Sequence, residues 1–200
     1  MTYRAVGAGG RYPEPVQDVA CAVAFAVQRA RDAGLVTGPV VVLGHSAGGH
    51  LAALAALGAD HFTGTCPYPR VRIDGLIGLA GTYDVSKLPD LAQPLFGRRP
   101  AQDPAAWREG NPMSWVDQGA QRANLEILLA HGTSDTDLPS SFTNDFGAAL
   151  RAHGYDVRVD AIQGATHQTL YSAAVIGPVA AAWVLSLPGA HTVQGRTSAS

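Results

Sequence analysis

The segment at residues 40–52 constrains the fold of this chain most strongly, because three local structures follow one another there without a linker. Four apolar residues, Val-Val-Val-Leu at 40–43, lead into Gly-His-Ser-Ala-Gly at 44–48 and then into small and apolar residues. An apolar run without polar alternation is typical of a strand that is buried on both faces of a parallel sheet. The segment therefore predicts a strand, a sharp turn and a helix, with Ser46 in the turn.

A Gly-x-Ser-x-Gly turn of this kind has a chemical use. The serine is held at a strained point between strand and helix, and Gly44 and Gly48 leave room for the neighbouring backbone. Its oxygen then lies at a helix N-terminus, where the helix dipole favours a developing negative charge. We interpret Ser46 as a nucleophile. The alternative is a glycine-rich turn in which the serine only caps the helix.

The rest of the chain alternates between short β-branched runs and longer helical patterns. This alternation, in a chain of 200 residues, predicts a single α/β domain over residues 1–187, with a mostly parallel sheet flanked by helices. Strands are predicted at 2–6, 39–43, 73–80, 126–130 and 157–162, and helices at 16–34, 46–57, 140–154 and 168–187, the last with a possible restart at Pro178. The proline-rich segment 81–124 has no strand pattern and is predicted to be a lid or pocket wall. Residues 188–200 are predicted to be a flexible tail.

Two later predicted strands end in residues that could activate a serine. Asp135 and Asp137 follow one of them, and His167 follows the other. A serine needs a base to take its proton, and the base needs a third group to orient it. The order Ser46, Asp135, His167 fits this scheme, with Asp137 as the alternative acid. Asp135 could instead cap the helix that begins near Ser140 or close a turn, and His167 could be a surface loop histidine.

Composition narrows the partners. Charged residues make up 15% of the chain and the net charge is −2, so the basic field that nucleic-acid binding requires is missing. His45 and His50 flank the serine without a carboxylate or cysteine at ligand spacing, so no metal or other cofactor is expected. Neither a signal peptide nor a membrane-spanning segment is expected, which predicts a soluble, cytoplasmic protein. The oligomeric state stays open.

The two cysteines give little signal. Cys21 and Cys66 could form one bridge, but nothing in their spacing argues for it. Cys21 lies in an alanine-rich helical pattern and is predicted to be a small core residue.

The segment Gly-His-Ser-Ala-Gly-Gly-His-Leu-Ala at 44–52 resembles the α/β-hydrolases of the esterase/lipase group, in particular kynurenine formamidases and bacterial carboxylesterases. Similar supporting motifs are found at 78–84, 131–135 and 164–167. The resemblance implies a serine hydrolase that cleaves a small-molecule ester or amide of a small acyl group, formyl or acetyl, through an acyl-enzyme. It implies Ser46, Asp135 and His167 as the triad, and the N–H of Ala47 as one donor of the oxyanion hole.

One feature of that family is missing from the chain. Its members carry further strands and a His-Gly-Gly loop upstream, and that loop supplies the second oxyanion donor. The chain has no His-Gly-Gly; the Gly-Ala-Gly-Gly at 7–10 reads as a connection, or else as a substitute for the loop. We therefore expect an N-terminally truncated hydrolase. Since one lost oxyanion donor can reduce the rate by about 10²–10³, the alternative function is a catalytically inactive remnant.

Overall fold

A computed structural model of the chain describes residues 3–35, 38–58, 60–121 and 124–190. It contains a four-stranded parallel sheet in which the strands are ordered as they occur along the chain. The strands are β1 (Val41–His45), β2 (Gly75–Leu79), β3 (Glu126–Gly132) and β4 (Asp156–Ile162). The predicted α/β architecture with a parallel sheet is confirmed. Because all four strands run the same way, their carboxyl ends meet at one edge, where Ser46, Asp135 and His167 follow them.

Seven helices connect and cover these strands in the described ranges. They are α1 (Glu14–Asp32), α2 (Ala47–Leu57), α3 (Pro89–Phe96), α4 (Pro104–Glu109), α5 (Ser141–Ala152), α6 (His167–Leu170) and α7 (Ala173–Ser186). Short 3-10 segments occupy Val6–Ala8, Val85–Lys87 and Pro112–Gln121. The final helix predicted at 168–187 is divided, but not at Pro178, which lies inside α7. The break comes at Tyr171 and Ser172, because Ser172 has extended backbone angles and begins a new helix.

The sheet is covered on both faces, which explains the apolar character of its central strands. Alternate residues of β2 point to opposite sides: Leu76 belongs to the core formed with α1, α2 and α5, whereas Ile77 and Leu79 belong to the core formed with α6 and α7. The residues of α2 from Gly49 to Leu57 are all buried. The segment therefore behaves as a core helix that is apolar on every side, which fixes the position of its N-terminus beside β1.

The strand predicted at 2–6 is wrong for the residues that the structure describes. Residues 3–5 have no regular secondary structure, and Val6–Ala8 is a 3-10 segment. The chain folds back here so closely that a Cβ on Gly10 would collide with the carbonyl of Arg4. The guanidinium of Arg4 also binds Asp18 of α1 at 2.8 Å and 2.9 Å. Polar contacts to α1 thus stand where the predicted strand would have made hydrogen bonds to a neighbouring strand.

The cysteines are paired, contrary to the interpretation of Cys21 as a simple core residue. A disulfide joins Cys21 of α1 to Cys66 in the loop between α2 and β2, with the two Cα atoms 5.3 Å apart. The residues are 45 positions apart in sequence, so only the packing of the loop against α1 brings them together. The cytoplasmic location stays a prediction, and this bridge weighs against it, because disulfides persist mainly in oxidising compartments.

The described part of segment 81–124 contains no strand, as predicted. Its aromatic side chains are anchored in the protein: Phe96 stacks on Trp107 with ring centroids 4.3 Å apart, and Tyr83 stacks on Phe146 at 4.4 Å. The contact between Tyr83 and Phe146 of α5 ties the segment to the body of the domain. Residues 191–200 of the predicted tail lie outside the described residues. Among the helices that are described, none has both the length and the apolarity that crossing a membrane requires.

Candidate active site

The turn that carries Ser46 has the predicted strand-turn-helix form. Ser46 lies between β1 and α2 with φ 54° and ψ −122°, a region that costs free energy for any residue with a side chain. Its side chain makes no capping hydrogen bond to α2. The alternative interpretation of Ser46 as a helix cap is therefore wrong. The strain holds the hydroxyl at the carboxyl edge of the sheet without engaging it in the helix.

Close backbone approaches require glycine at positions 44 and 49, whereas a Cβ on Gly48 would meet no atom within 4 Å. A Cβ on Gly44 would collide with the carbonyl of Gly48, so this pair closes the turn on itself. A Cβ on Gly49 would lie 3.0 Å from the Cα of Gly81, just beyond the end of β2. The Ser46 N–H also donates to the Leu79 carbonyl at 2.9 Å. The turn is thus pressed against the neighbouring strand, which fixes its direction.

Asp135 and His167 meet at the same edge. The Nδ1 of His167 lies 2.7 Å from Oδ2 of Asp135, and both side chains are largely buried, with 9% and 1% of their surface exposed. Asp137 is exposed and contributes only its N–H, which donates to Asp135 at 2.9 Å. The structure thus brings Asp135, and not Asp137, to the histidine. If Nδ1 carries the proton, Nε2 is left as the acceptor, which is the form that a general base requires.

The environment of Asp135 favours the charged carboxylate. Burial works to raise its pKa, but hydrogen bonds from the Leu138 N–H, from His167 and from the Asp137 N–H outweigh it, so the pKa lies below its usual range. His131 supports this loop as well: its Nε2 lies 3.0 Å from the Leu138 carbonyl and 3.3 Å from Asp135 Oδ2. The acid is consequently ionised and held by both of its oxygens.

Two ring contacts of His45 at this site were missed by the sequence reasoning. The ring of His45 lies 4.6 Å from that of His167 and 4.8 Å from that of Tyr171. Partial burial and the proximity of His167 keep the pKa of His45 below its ordinary value. Tyr171 follows His167 by four residues, a spacing that places both on one side of a helical turn, and His45 contacts both from β1.

His45 lies between the two residues of the site: it precedes Ser46 in the chain, and its ring contacts the ring of His167. Within the described part of the chain, no hydrogen bond joins the Ser46 hydroxyl to His167. Such contacts are often long in the absence of substrate and shorten when it binds. The Ala47 N–H is in the first turn of α2, where amide groups have no partner within the helix. Ala47 is exposed, and the assignment of its N–H as an oxyanion donor stays a prediction.

A cavity of about 530 Å³ opens beside Ser46 and Ala47. Its walls come from the N-terminal segment, from α2 and from the segment after β2 that includes α3. Gly7 of the early glycine cluster is among the lining residues, so that cluster remains a candidate source of the second oxyanion donor.

His50 is part of the cavity wall, and its burial makes the stability of the protein depend on pH. It is fully buried one turn into α2, its Nε2 lies 2.7 Å from the Gly110 carbonyl, and burial lowers its pKa to about 4. Because the unfolded chain binds the proton at about pH 6.5, the stability that neutral His50 provides is present above that pH and is lost as the pH falls towards 4.

We therefore expect the wild-type protein to lose about 2 to 3 kcal/mol more unfolding free energy between pH 7 and pH 4.5 than the non-titrating His50→Gln variant loses. Urea unfolding of both proteins at the two pH values measures this difference. Parallel losses in the two proteins would show that His50 does not titrate with folding.

The parallel sheet, the serine turn and the acid–histidine pair at one edge define the α/β-hydrolase class. The chain belongs to the BD-FAE family, whose profile matches residues 1–150. It is 29% identical over 195 residues to the esterase LipC of Mycobacterium tuberculosis, and 28% identical over 153 residues to the esterase LipQ of the same organism. These matches include 90% and 72% of this chain, but 47% and 35% of the relatives. The chain thus spans about half the length of LipC and about a third of the length of LipQ.

Solved structures show the same fold. A truncated form of a carbohydrate esterase from gut microbiota superposes with a TM-score of 0.78 at 18% identity, over 92% of this chain and 71% of that one. Esterase 2 of Thermogutta terrifontis superposes with a TM-score of 0.73 at 17% identity, over 97% and 71% of the two chains. The family match and the shared fold agree with the α/β-hydrolase class that the site defines.

Proposed function

We propose that this chain hydrolyses small-molecule carboxylic esters through an acyl-enzyme on Ser46. The observation that carries the proposal is the buried Asp135–His167 hydrogen bond at the sheet edge where the strained serine turn lies. A structure of Thermogutta terrifontis esterase 2 phosphonylated by sarin has the same fold, and this likeness supports the proposal. It superposes with a TM-score of 0.67 at 19% identity, over 84% of this chain and 62% of that one.

In this mechanism His167 takes the proton of Ser46 through Nε2 as the serine oxygen attacks the ester carbonyl. The Ala47 N–H stabilises the oxyanion, with the positive end of the α2 dipole behind it. His167 returns the proton to the leaving alcohol, and Asp135 stabilises the imidazolium in between. Water, deprotonated by the same histidine, then attacks the acyl-enzyme and releases the acid.

The resemblance to kynurenine formamidases adds formamides, together with formyl and acetyl esters, to the proposed substrates. The segment 81–124 is proposed as a pocket wall, because seven of the residues lining the cavity beside Ser46 belong to it: Thr82, Val85, Leu88, Leu91, Ala92, Pro94 and Leu95.

Treatment of the purified, monodisperse chain with a fluorophosphonate probe tests the proposal, with mass spectrometry to locate the adduct. We expect a stoichiometric adduct on Ser46, and slower labelling after His167→Ala, because the base is lost. A folded chain that is not labelled would contradict the proposal and would favour the inactive remnant as the alternative.

A further inference from the structure

The cavity beside Ser46 is larger than the proposed reaction of a formyl or acetyl ester requires. Its volume of about 530 Å³ lies within the roughly 300–1,000 Å³ of typical small-molecule sites. An acetyl group would place a single methyl at its mouth. What the remaining space accepts depends on its walls.

One wall is an apolar stripe on a single helix. Leu88, Leu91, Ala92 and Leu95 follow the spacing i, i+3, i+4, i+7, which places them on one face of α3 and of the residue before it. All four line the cavity. Leu91 is 69% exposed, whereas Ala92 and Leu95 are partly buried against the cluster of Val85, Phe96 and Trp107, so the stripe is only partly covered. An apolar occupant would complete its burial, and burial of apolar surface is favourable.

The other walls are also apolar. Val6, Pro15 and Leu51 line the cavity on the sides away from α3, and no charged side chain is among its described lining residues. The lining includes His50, but its Nε2 is already bound to the Gly110 carbonyl. Besides Ser46, the lining residues with hydroxyl groups are Tyr3 and Thr82, and the cavity offers little to a charged group.

The arrangement around Ser46 assigns the cavity to one side of the ester. The leaving oxygen must take its proton from His167, so the alcohol part must lie on the histidine side. His45, whose ring contacts the rings of both His167 and Tyr171, lines a separate depression together with Tyr171 and Leu43 of β1. The cavity instead adjoins Ala47, and His167 is not among the described residues that line it. The group that remains on Ser46 in the acyl-enzyme points into it.

We propose that this cavity is the acyl pocket and that it takes straight aliphatic acyl chains of about four to eight carbons. This proposal rests on the proposed function, in which Ser46 becomes acylated. It assigns specificity to the leucine stripe of α3, and it extends the substrates beyond the formyl and acetyl groups that the sequence resemblance implied.

Two isomeric esters separate the acyl side from the alcohol side. Ethyl hexanoate and hexyl acetate have the same composition, but the six-carbon chain lies in the acid of one and in the alcohol of the other. We expect kcat/KM to be about tenfold higher for ethyl hexanoate, because each buried methylene favours binding by up to about fourfold. Acid release in a pH-stat measures both rates. An equal or higher value for hexyl acetate overturns the assignment.

A bulky substitution tests the leucine stripe. Leu95→Trp fills part of the cavity, and we expect it to lower the ratio of the ethyl hexanoate rate to the hexyl acetate rate by about tenfold, the size of effect typical when a pocket loses room for part of an apolar substrate. Leu185→Trp is the matched control, since Leu185 is 57% exposed on α7 and outside the cavity lining. A ratio unchanged by Leu95→Trp, or lowered equally by both, contradicts the proposal.

A binding measurement tests the pocket proposal independently of the catalytic reaction. Ser46→Ala cannot be acylated, so calorimetry can compare its binding of p-nitrophenyl hexanoate and p-nitrophenyl acetate. Tighter binding of the hexanoate, weakened by Leu95→Trp, supports the pocket even if the wild-type chain is not labelled by fluorophosphonate. Equal binding of the two esters overturns the pocket even if Ser46 is labelled and the proposed function stands.

Discussion

Ser46→Ala removes the esterase activity, with kcat expected to fall by about 10⁶, the size of effect seen when a serine nucleophile is deleted. The expectation follows from the strained turn, which holds the hydroxyl at the sheet edge, and from the Asp135–His167 pair at the same edge. The rate of p-nitrophenyl butyrate hydrolysis and labelling by fluorophosphonate measure the loss. A variant that keeps a tenth of the activity would show that another group is the nucleophile.

The matched control for this loss is Ser46→Gly, which separates catalysis from folding. The side chain of Ser46 makes no capping hydrogen bond, so Ser46→Ala should change the unfolding free energy by less than about 0.5 kcal/mol. Glycine tolerates the φ of 54° that costs other residues about 1–3 kcal/mol. We therefore expect Ser46→Gly to be inactive but more stable than wild type by about 1 kcal/mol, as measured by urea unfolding.

Asp135→Asn lowers kcat by about 10³–10⁴, because it reverses the hydrogen bond that orients the histidine. Oδ2 of Asp135 now accepts from Nδ1 of His167 at 2.7 Å, and Oδ1 accepts from the Leu138 N–H at 2.9 Å. Asparagine can keep the second bond, but its NH₂ group then faces Nδ1 and favours the tautomer with the proton on Nε2. That tautomer cannot take the proton of Ser46. Steady-state kinetics on an aryl ester measure the effect.

Asp137→Asn is the matched control, since Asp137 has the same side chain two residues further on and is exposed. Only its backbone N–H takes part, as a donor to Asp135, and the substitution preserves that group. We expect a change in kcat of less than about threefold. Equal losses in the two variants would show that charge at this loop matters and that the orientation of His167 does not.

The sequence already located most of the site because its signals are local and directional. The apolar run before Ser46 and the small residues after it predict a strand and a helix on either side of the turn. Asp135 and His167 each follow a buried strand, and the carboxyl ends of parallel strands share one edge. The choice between Asp135 and Asp137 could not be made this way, because both lie in one loop and their spacing fits equally well. The fold of that loop turned the side chain of Asp135 to His167 and left Asp137 in solvent.

The amino-acid sequence by itself determined the alternation of strands and helices, the position of the serine turn, and two residues of the proposed triad, Ser46 and His167, because periodicity and close-packed glycines act over a few residues. Only the tertiary structure decided which residues distant in sequence meet. Cys21 reaches Cys66 through the packing of α1 on a loop, and His45 at the end of β1 reaches both His167 and Tyr171. The acyl pocket likewise exists only because α3 faces α2 across a gap. Contacts of this kind depend on how whole elements pack, and the sequence carries no local signal for them.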